Sequence, residues 1–144
     1  MSTRNLIVGI SVLAIGSLVA FSSYAEDADK PYVVIDGKVD QATYNGYRRY
    51  GDACLRCHGP DAGGSSYAPD LTESLKHMTK EEVEGTIING RKNVTTSQDN
   101  VMPSFGEVED VVLYIDDIYG YLKARSDGAL GRGRPQRIPV PPKN

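Results

Sequence analysis

Five consecutive residues, Cys54-Leu55-Arg56-Cys57-His58, concentrate the chemistry of this chain. They use its only two cysteines and one of its two histidines. C-x-x-C-H is the attachment site of a c-type haem. Each thiol adds across a haem vinyl group, giving two thioether bonds, and the two-residue spacer keeps both sulfurs on one side of the porphyrin. His58 is then held under the iron as its proximal ligand. Other uses of the pair fit less well. A thioredoxin-like C-x-x-C pair needs a βαβ context that the pattern does not offer. Zinc normally takes four N/S ligands, and only His77 lies beyond the motif. A disulfide across two residues would be strained.

Haem iron takes a second axial ligand or leaves that position open. His77, Met78 and Met102 are the candidates. Met102 lies in Val101-Met102-Pro103-Ser104-Phe105, read as a loop, where Pro103 restrains the backbone. A thioether held there can reach the open haem face, and Met/His is a known haem pair. The other use of Met102 is as an ordinary core side chain. Met78 is better explained as a helix staple, and His77 as a solvated neighbour, with bis-histidine ligation the minor alternative. A ligating histidine donates its other ring N–H to a carbonyl or carboxylate. The Pro69 carbonyl, eleven residues on, is the candidate acceptor from His58 Nδ1.

Helices must position these groups. Asp40 is the N-cap of a helix over 41–54. Residues 59–78, rich in Gly, Pro, Ser and Asp, read as a loop wrapping something. Thr79-Lys80-Glu81-Glu82 is a capping box opening a helix that ends near Asn89 at Gly90, with Met78 and Val83 as its staple. Residues 91–106 read as a second polar loop. A last helix over 107–125 buries Val108, Val111, Val112, Ile115, Ile118, Tyr119 and Leu122 at helical spacing. Val33-Val34-Ile35 before Asp36-Gly37 reads as a short extended piece and a turn. Residues 128–144 are Gly/Pro-rich and basic, with no regular structure assigned.

The N-terminus bounds the compartment. Arg4, an apolar run over 6–21 and Ser22-Ser23-Tyr24-Ala25 have the form of a secretory signal peptide over 1–25. The run is short for a membrane span, so no stable insertion is expected after cleavage. The mature protein then comprises an arm over 26–39, a domain over 40–127 and a tail over 128–144. The chain has no Trp, two Phe and nine Tyr. So small a core needs a staple, and a covalent porphyrin supplies the missing apolar surface. The apoprotein is expected to be largely unfolded. Residues 26–127 carry 11 basic and 19 acidic side chains, while Arg132, Arg134, Arg137 and Lys143 follow with no acid. An acidic domain thus ends in a basic tail. The tail is expected to fold back as a clasp with its guanidinium groups on carboxylates. The competing roles are a free arm that captures an acidic partner and an inert terminus. Nothing suggests nucleic-acid binding.

Several local patterns together resemble the class I c-type cytochromes. Gly46, Tyr50 and Cys54 show that family's G-x-x-x-aromatic-x-x-x-C spacing. Pro69-Asp70-Leu71 resembles the P-x-L after its haem motif. Met102-Pro103 precedes a helix ending Ile118-Tyr119-Gly120-Tyr121-Leu122-Lys123, similar to its aromatic-L-K ending. The resemblance covers roughly residues 40–125. It implies an all-α fold of about three core helices around one covalent haem c, with N- and C-terminal extensions. It also implies that first and last helices cross at Gly46, with Tyr50 against Ile118 and Tyr121. Residues 32–40, 43–50, 122–125 and 131–135 further resemble methanol-metabolism-related cytochromes of the c-L type. That implies a periplasmic acceptor of electrons from a pyrroloquinoline-quinone alcohol dehydrogenase, passing them to a downstream cytochrome or oxidase.

Two functions compete. A carrier needs both axial sites filled, here by His58 and Met102, and no general acid, base or nucleophile. A haem enzyme or gas sensor needs an open sixth position and a distal acid–base group, for which only His77 is spare. A thiol–disulfide oxidoreductase is a weaker third.

Overall fold

The computed structural model describes residues 29–94 and 99–139. The proposed signal peptide lies outside the described residues. Among the described residues, six α-helices are formed: α1 Gln41–Ala53, α2 Leu55–His58, α3 Leu71–Ser74, α4 Lys80–Asn89, α5 Glu109–Leu113 and α6 Ile115–Ser126. Five short strands accompany them: β1 Val34–Ile35, β2 Lys38–Val39, β3 Arg91–Val94, β4 Asp99–Met102 and β5 Gln136–Arg137.

The helix starts follow local chemistry. The Asp40 carboxylate accepts from the Thr43 N–H, capping α1. The capping box of α4 is complete, with the Thr79 hydroxyl accepting from Glu82 N and the Glu82 carboxylate from Thr79 N. Each such cap satisfies N–H groups that have no partner inside the helix.

The helical core is built on α1 against α6. At Gly46 a Cβ would lie 1.8 Å from the Asp117 carbonyl oxygen, so only glycine permits this approach. The tyrosines fill the layer beside it. Tyr50 and Tyr121 are each 1% exposed, with ring centroids 5.4 Å apart, and Ile118 is fully buried. The crossing and the Tyr50 packing that the family resemblance implied are thus present.

Four readings of the sequence are corrected. The segment 59–78 is not all loop: it holds a 3-10 turn at Pro60–Ala62 and the helix α3, whose N-cap Asp70 accepts from Thr72 and Glu73 N–H groups. The segment 91–106 contains an antiparallel hairpin, β3 against β4, so Met102 ends a strand and pairs with Arg91. The last helix is broken at Tyr114 into α5 and α6. Val111 stays buried, but Val108 and Val112 are 43% and 42% exposed and leave the expected stripe. The break interrupts the register on which a continuous 3.6-residue stripe depends. Arg49 marks the place, lying 4.1 Å over the Tyr114 ring and 3.1 Å from the Asp110 carboxylate.

The fourth correction concerns the tail. It contains β5, which runs parallel to β2 and completes a sheet ordered β1-β2-β5. Asp36 and Gly37 both have positive φ, the signature of the two-residue turn joining β1 to β2. Leu130 is 4% exposed. Its N–H donates to the Ala124 carbonyl, and its own carbonyl accepts from Arg125 Nη1. The tail therefore lies folded on the body. Of its three described arginines, only Arg132 meets a carboxylate, that of Asp61. Arg134 donates to the Tyr44 hydroxyl and Arg137 to Gln41 Oε1.

Candidate haem-attachment site

Helix α1 delivers the motif, and α2 is made of its last four residues. Cys54 caps both: its N–H donates to the Tyr50 carbonyl, and its own carbonyl accepts from the Cys57 and His58 N–H groups. One helical turn therefore sets the spacing of the two sulfurs and the imidazole. The cysteines are unpaired, Cys54 buried and Cys57 exposed. Burial, followed by the neighbouring Cys57, pushes the Cys54 thiol up to about 11, so it is protonated at neutral pH.

His58 is 6% exposed, and its Nδ1 lies 3.0 Å from the Pro69 carbonyl oxygen. With Nδ1–H donating to that carbonyl, Nε2 keeps its lone pair for a metal. The loop that carries Pro69 is itself tied down. Gly64 N–H donates to the His58 carbonyl, and the Ser65 hydroxyl to the Cys57 carbonyl. The Tyr50 hydroxyl donates to the Gly59 carbonyl. Burial, as its main cause, holds that phenol well above the ordinary tyrosine range.

Met102 and Met78 are both partly buried against the apolar cluster that includes Cys54, Leu75, Val83 and Ile87. His77 is exposed. The strand end bearing Met102 is positioned from α4. Gly90 has φ +71, and a Cβ on it would come within 2.6 Å of the Met102 carbonyl oxygen. Beyond Met102, Phe105 N–H donates to the Ile87 carbonyl and Gly106 N–H to the Ile88 carbonyl. The residues fit a covalent haem: two free thiols one turn apart, an oriented imidazole beside them, and two thioethers on the same apolar cluster.

Three contributors, Asp61, Arg125 and Asp70, were not singled out from the sequence. Asp61 and Ala62 both have positive φ, and the Asp61 carboxylate is held by Gly133 N–H at 2.7 Å and by Arg132. Arg125 Nε donates to the Asp61 carbonyl. The tail thus grips the turn just after the haem motif, and no local pattern signals that. Asp70 was detectable, since Asp-x-x-Glu is a helix-opening signature.

Comparison with known proteins decides the family. Residues 41–122 match the family described as cytochrome C oxidase, cbb3-type, subunit III. The chain is 41% identical over 96 residues to cytochrome c-555 of Methylococcus capsulatus, covering 66% of this chain and 72% of that protein. The chain belongs to the class I c-type cytochromes.

Cytochrome c-553I of Paracoccus denitrificans is 46% identical over 113 residues, 78% of this chain and 50% of its own length. The chain therefore spans about half of that relative. The crystal structure of the c-type cytochrome XoxG from Methylobacterium extorquens AM1 superposes with a TM-score of 0.64 at 46% identity. The match covers 74% of this chain and 64% of XoxG. The cytochrome carries covalently bound haem c, for which Cys54 and Cys57 stand in the C-x-x-C-H position. Among the described residues, no helix is long and apolar enough to cross a membrane.

Proposed function

We propose that this cytochrome is a periplasmic single-electron carrier whose iron is held by His58 and Met102. In this reading it accepts electrons from a quinoprotein alcohol dehydrogenase, with methanol as the substrate class, and passes them to a downstream cytochrome or oxidase. Bound haem c supplies an iron that changes oxidation state by one electron. The chain's own residues do the rest. Cys54 and Cys57 anchor the porphyrin, Pro69 orients the His58 ring, and the Gly90 contact sets the position of Met102. A second ligand from Met102 leaves no position for a substrate and raises the reduction potential.

The observation that carries this reading is that Met102 is partly buried against the hydrophobic core to which Cys54 belongs, whereas His77 is exposed. The likeness to the c-L type over residues 32–40 and 131–135 supports the donor. The first of those segments contains β2, and the second leads directly into β5, the strand that pairs with β2. Reduction of the purified holoprotein by a quinoprotein methanol dehydrogenase, followed by stopped flow, tests the donor. Reduction no faster than by an unrelated dehydrogenase would reject it. A visible spectrum tests the ligation: a far-red thioether-to-iron charge-transfer band supports Met102, and a high-spin ferric spectrum supports the enzyme or sensor reading.

A further inference from the structure

A groove of about 790 Å³ opens between α1 and the C-terminal segment. A second concavity of about 530 Å³ shares Gln41, Tyr44, Arg134 and Arg137 with it and extends along α1 to Gly51 and Asp52. Three guanidinium groups gather there. Arg134 donates to the Tyr44 hydroxyl at 2.7 Å, Arg137 lies 5.2 Å over the Tyr44 ring, and Arg48 stands one helical turn further along. Among the described residues, none of the three forms an ion pair. Asp52 is the one acid lining either concavity. The Tyr44 hydroxyl is more acidic than an ordinary tyrosine, chiefly through the bond from Arg134, and also through the charges of Arg134, Arg137 and Arg48.

We infer that this groove, built jointly by α1 and the folded-back tail, is a docking surface for an acidic segment of a protein partner. The inference deepens the carrier reading and rests on it in one respect, that the partner is a redox protein. Charge complementarity points to the occupant: three unpaired guanidinium groups are concentrated on a domain whose other charges are mostly acidic. Guanidinium groups pair bidentately with carboxylates. The place suits electron transfer. Gly51 and Asp52 stand within one helical turn of Cys54, roughly 5 Å along the helix axis. The far end of the second concavity thus lies near one of the anchoring cysteines, while Tyr44 stands roughly 15 Å from it along the helix. The surface exists only while the tail is folded, because Arg134 and Arg137 reach α1 from β5 and its lead-in.

A titration of isotope-labelled holocytochrome with a polyglutamate peptide tests this, read by amide NMR at low ionic strength. Saturable shifts are expected over residues 44–52 and 132–138. Arg48→Glu should weaken the affinity roughly ten-fold, since it reverses one rim charge. Arg48 is exposed and makes no hydrogen bond among the described residues, so its replacement leaves the tail packed; an unchanged Tm checks this. Raising the salt until the Debye length falls from about 30 to about 8 Å should largely abolish binding. Shifts that map elsewhere, or an affinity unmoved by Arg48→Glu, would overturn the proposal. So would equal shifts and affinity with inorganic phosphate at matched ionic strength, which would make the groove a small-oxyanion site. No dehydrogenase enters this experiment, so its failure leaves the donor open, and a failed donor leaves the groove standing.

Discussion

At the scale of single residues, the site divides into anchors and tuners. Cys54 and Cys57 hold the porphyrin whatever the iron does. His58 has its orientation decided by Pro69, and Met102 is expected to set the potential. Met102→Ala should therefore retain haem on a denaturing gel, yet show a high-spin ferric spectrum and a lower reduction potential. A native potential in that variant removes Met102 from the iron. A second residue prediction follows from burial. Tyr121 is 1% exposed, its hydroxyl has no partner among the described residues, and burial pushes its pKa up to about 12 from 10.0. The fold thus holds the Tyr121 proton more tightly than the unfolded chain does. That stabilisation is complete below about pH 10 and is lost as pH rises through about 12. Tyr121→Phe should flatten the alkaline fall in Tm measured by circular dichroism between those values. An unchanged slope would assign the fall to other groups.

At the scale of elements, the α1–α6 crossing and the β3–β4 hairpin do different work. The crossing carries the stability. Gly46→Val would force a side chain into the Asp117 carbonyl, and overpacking of this kind costs at least about 1–3 kcal/mol. Urea unfolding should show that loss while the haem spectrum of the folded protein stays native. Wild-type unfolding would mean that the helices tolerate separation. The hairpin carries the proposed ligand, Met102. Because a Cβ at Gly90 would meet the Met102 carbonyl and the Pro103–Ser104 backbone, Gly90→Ala should both strain the fold and displace Met102. The expected result is a lower Tm together with a weakened far-red thioether band in the protein that remains folded; an intact band would place the control of Met102 elsewhere.

At the scale of the whole molecule, the two ends of the chain act on its middle. The arm and the tail share one small sheet, and the tail reaches across to Asp61. Truncation after Gly128 removes Leu130, which is 4% exposed, together with β5 and both contacts to the Asp61 carboxylate. Burial of one such leucine is commonly worth about 2–5 kcal/mol, so a fall in Tm of roughly 10 °C or more is expected. Differential scanning calorimetry of the truncated holoprotein checks it, and an unchanged Tm would make the tail an ornament of the fold. The haem is expected to matter more still. The largest fully buried side chains are Tyr50, Tyr121, Ile118, Val39 and Thr43, a small core for a domain of this length. A variant with Cys54 and Cys57 both replaced by Ala should lose most of its helical circular dichroism.

The haem motif, the caps at Asp40 and Thr79 and the glycine stop at Gly90, where φ is positive, were legible because each is local. A few adjacent residues satisfy their own backbone groups, and no distant contact can change that requirement. Pro69 as the partner of His58 was legible because a buried imidazole must place its second N–H nearby. Other features depended on residues far apart in sequence. The β3–β4 hairpin hid inside a polar segment because its strands pair through backbone groups that any side chain can accompany. The break at Tyr114 lies inside an unbroken apolar period, and only the packing of Arg49 from α1 marks it. The tail's arginines announced a charge asymmetry, but not that two of the three would settle on Tyr44 and Gln41 rather than on carboxylates. Local chemistry thus determined the cofactor and the helices that hold it. Tertiary structure decided that Met102 ends a strand beside Gly90, what grips the turn at Asp61 and where the tail's charge lies, because each of these is settled by groups that meet only when the chain is folded.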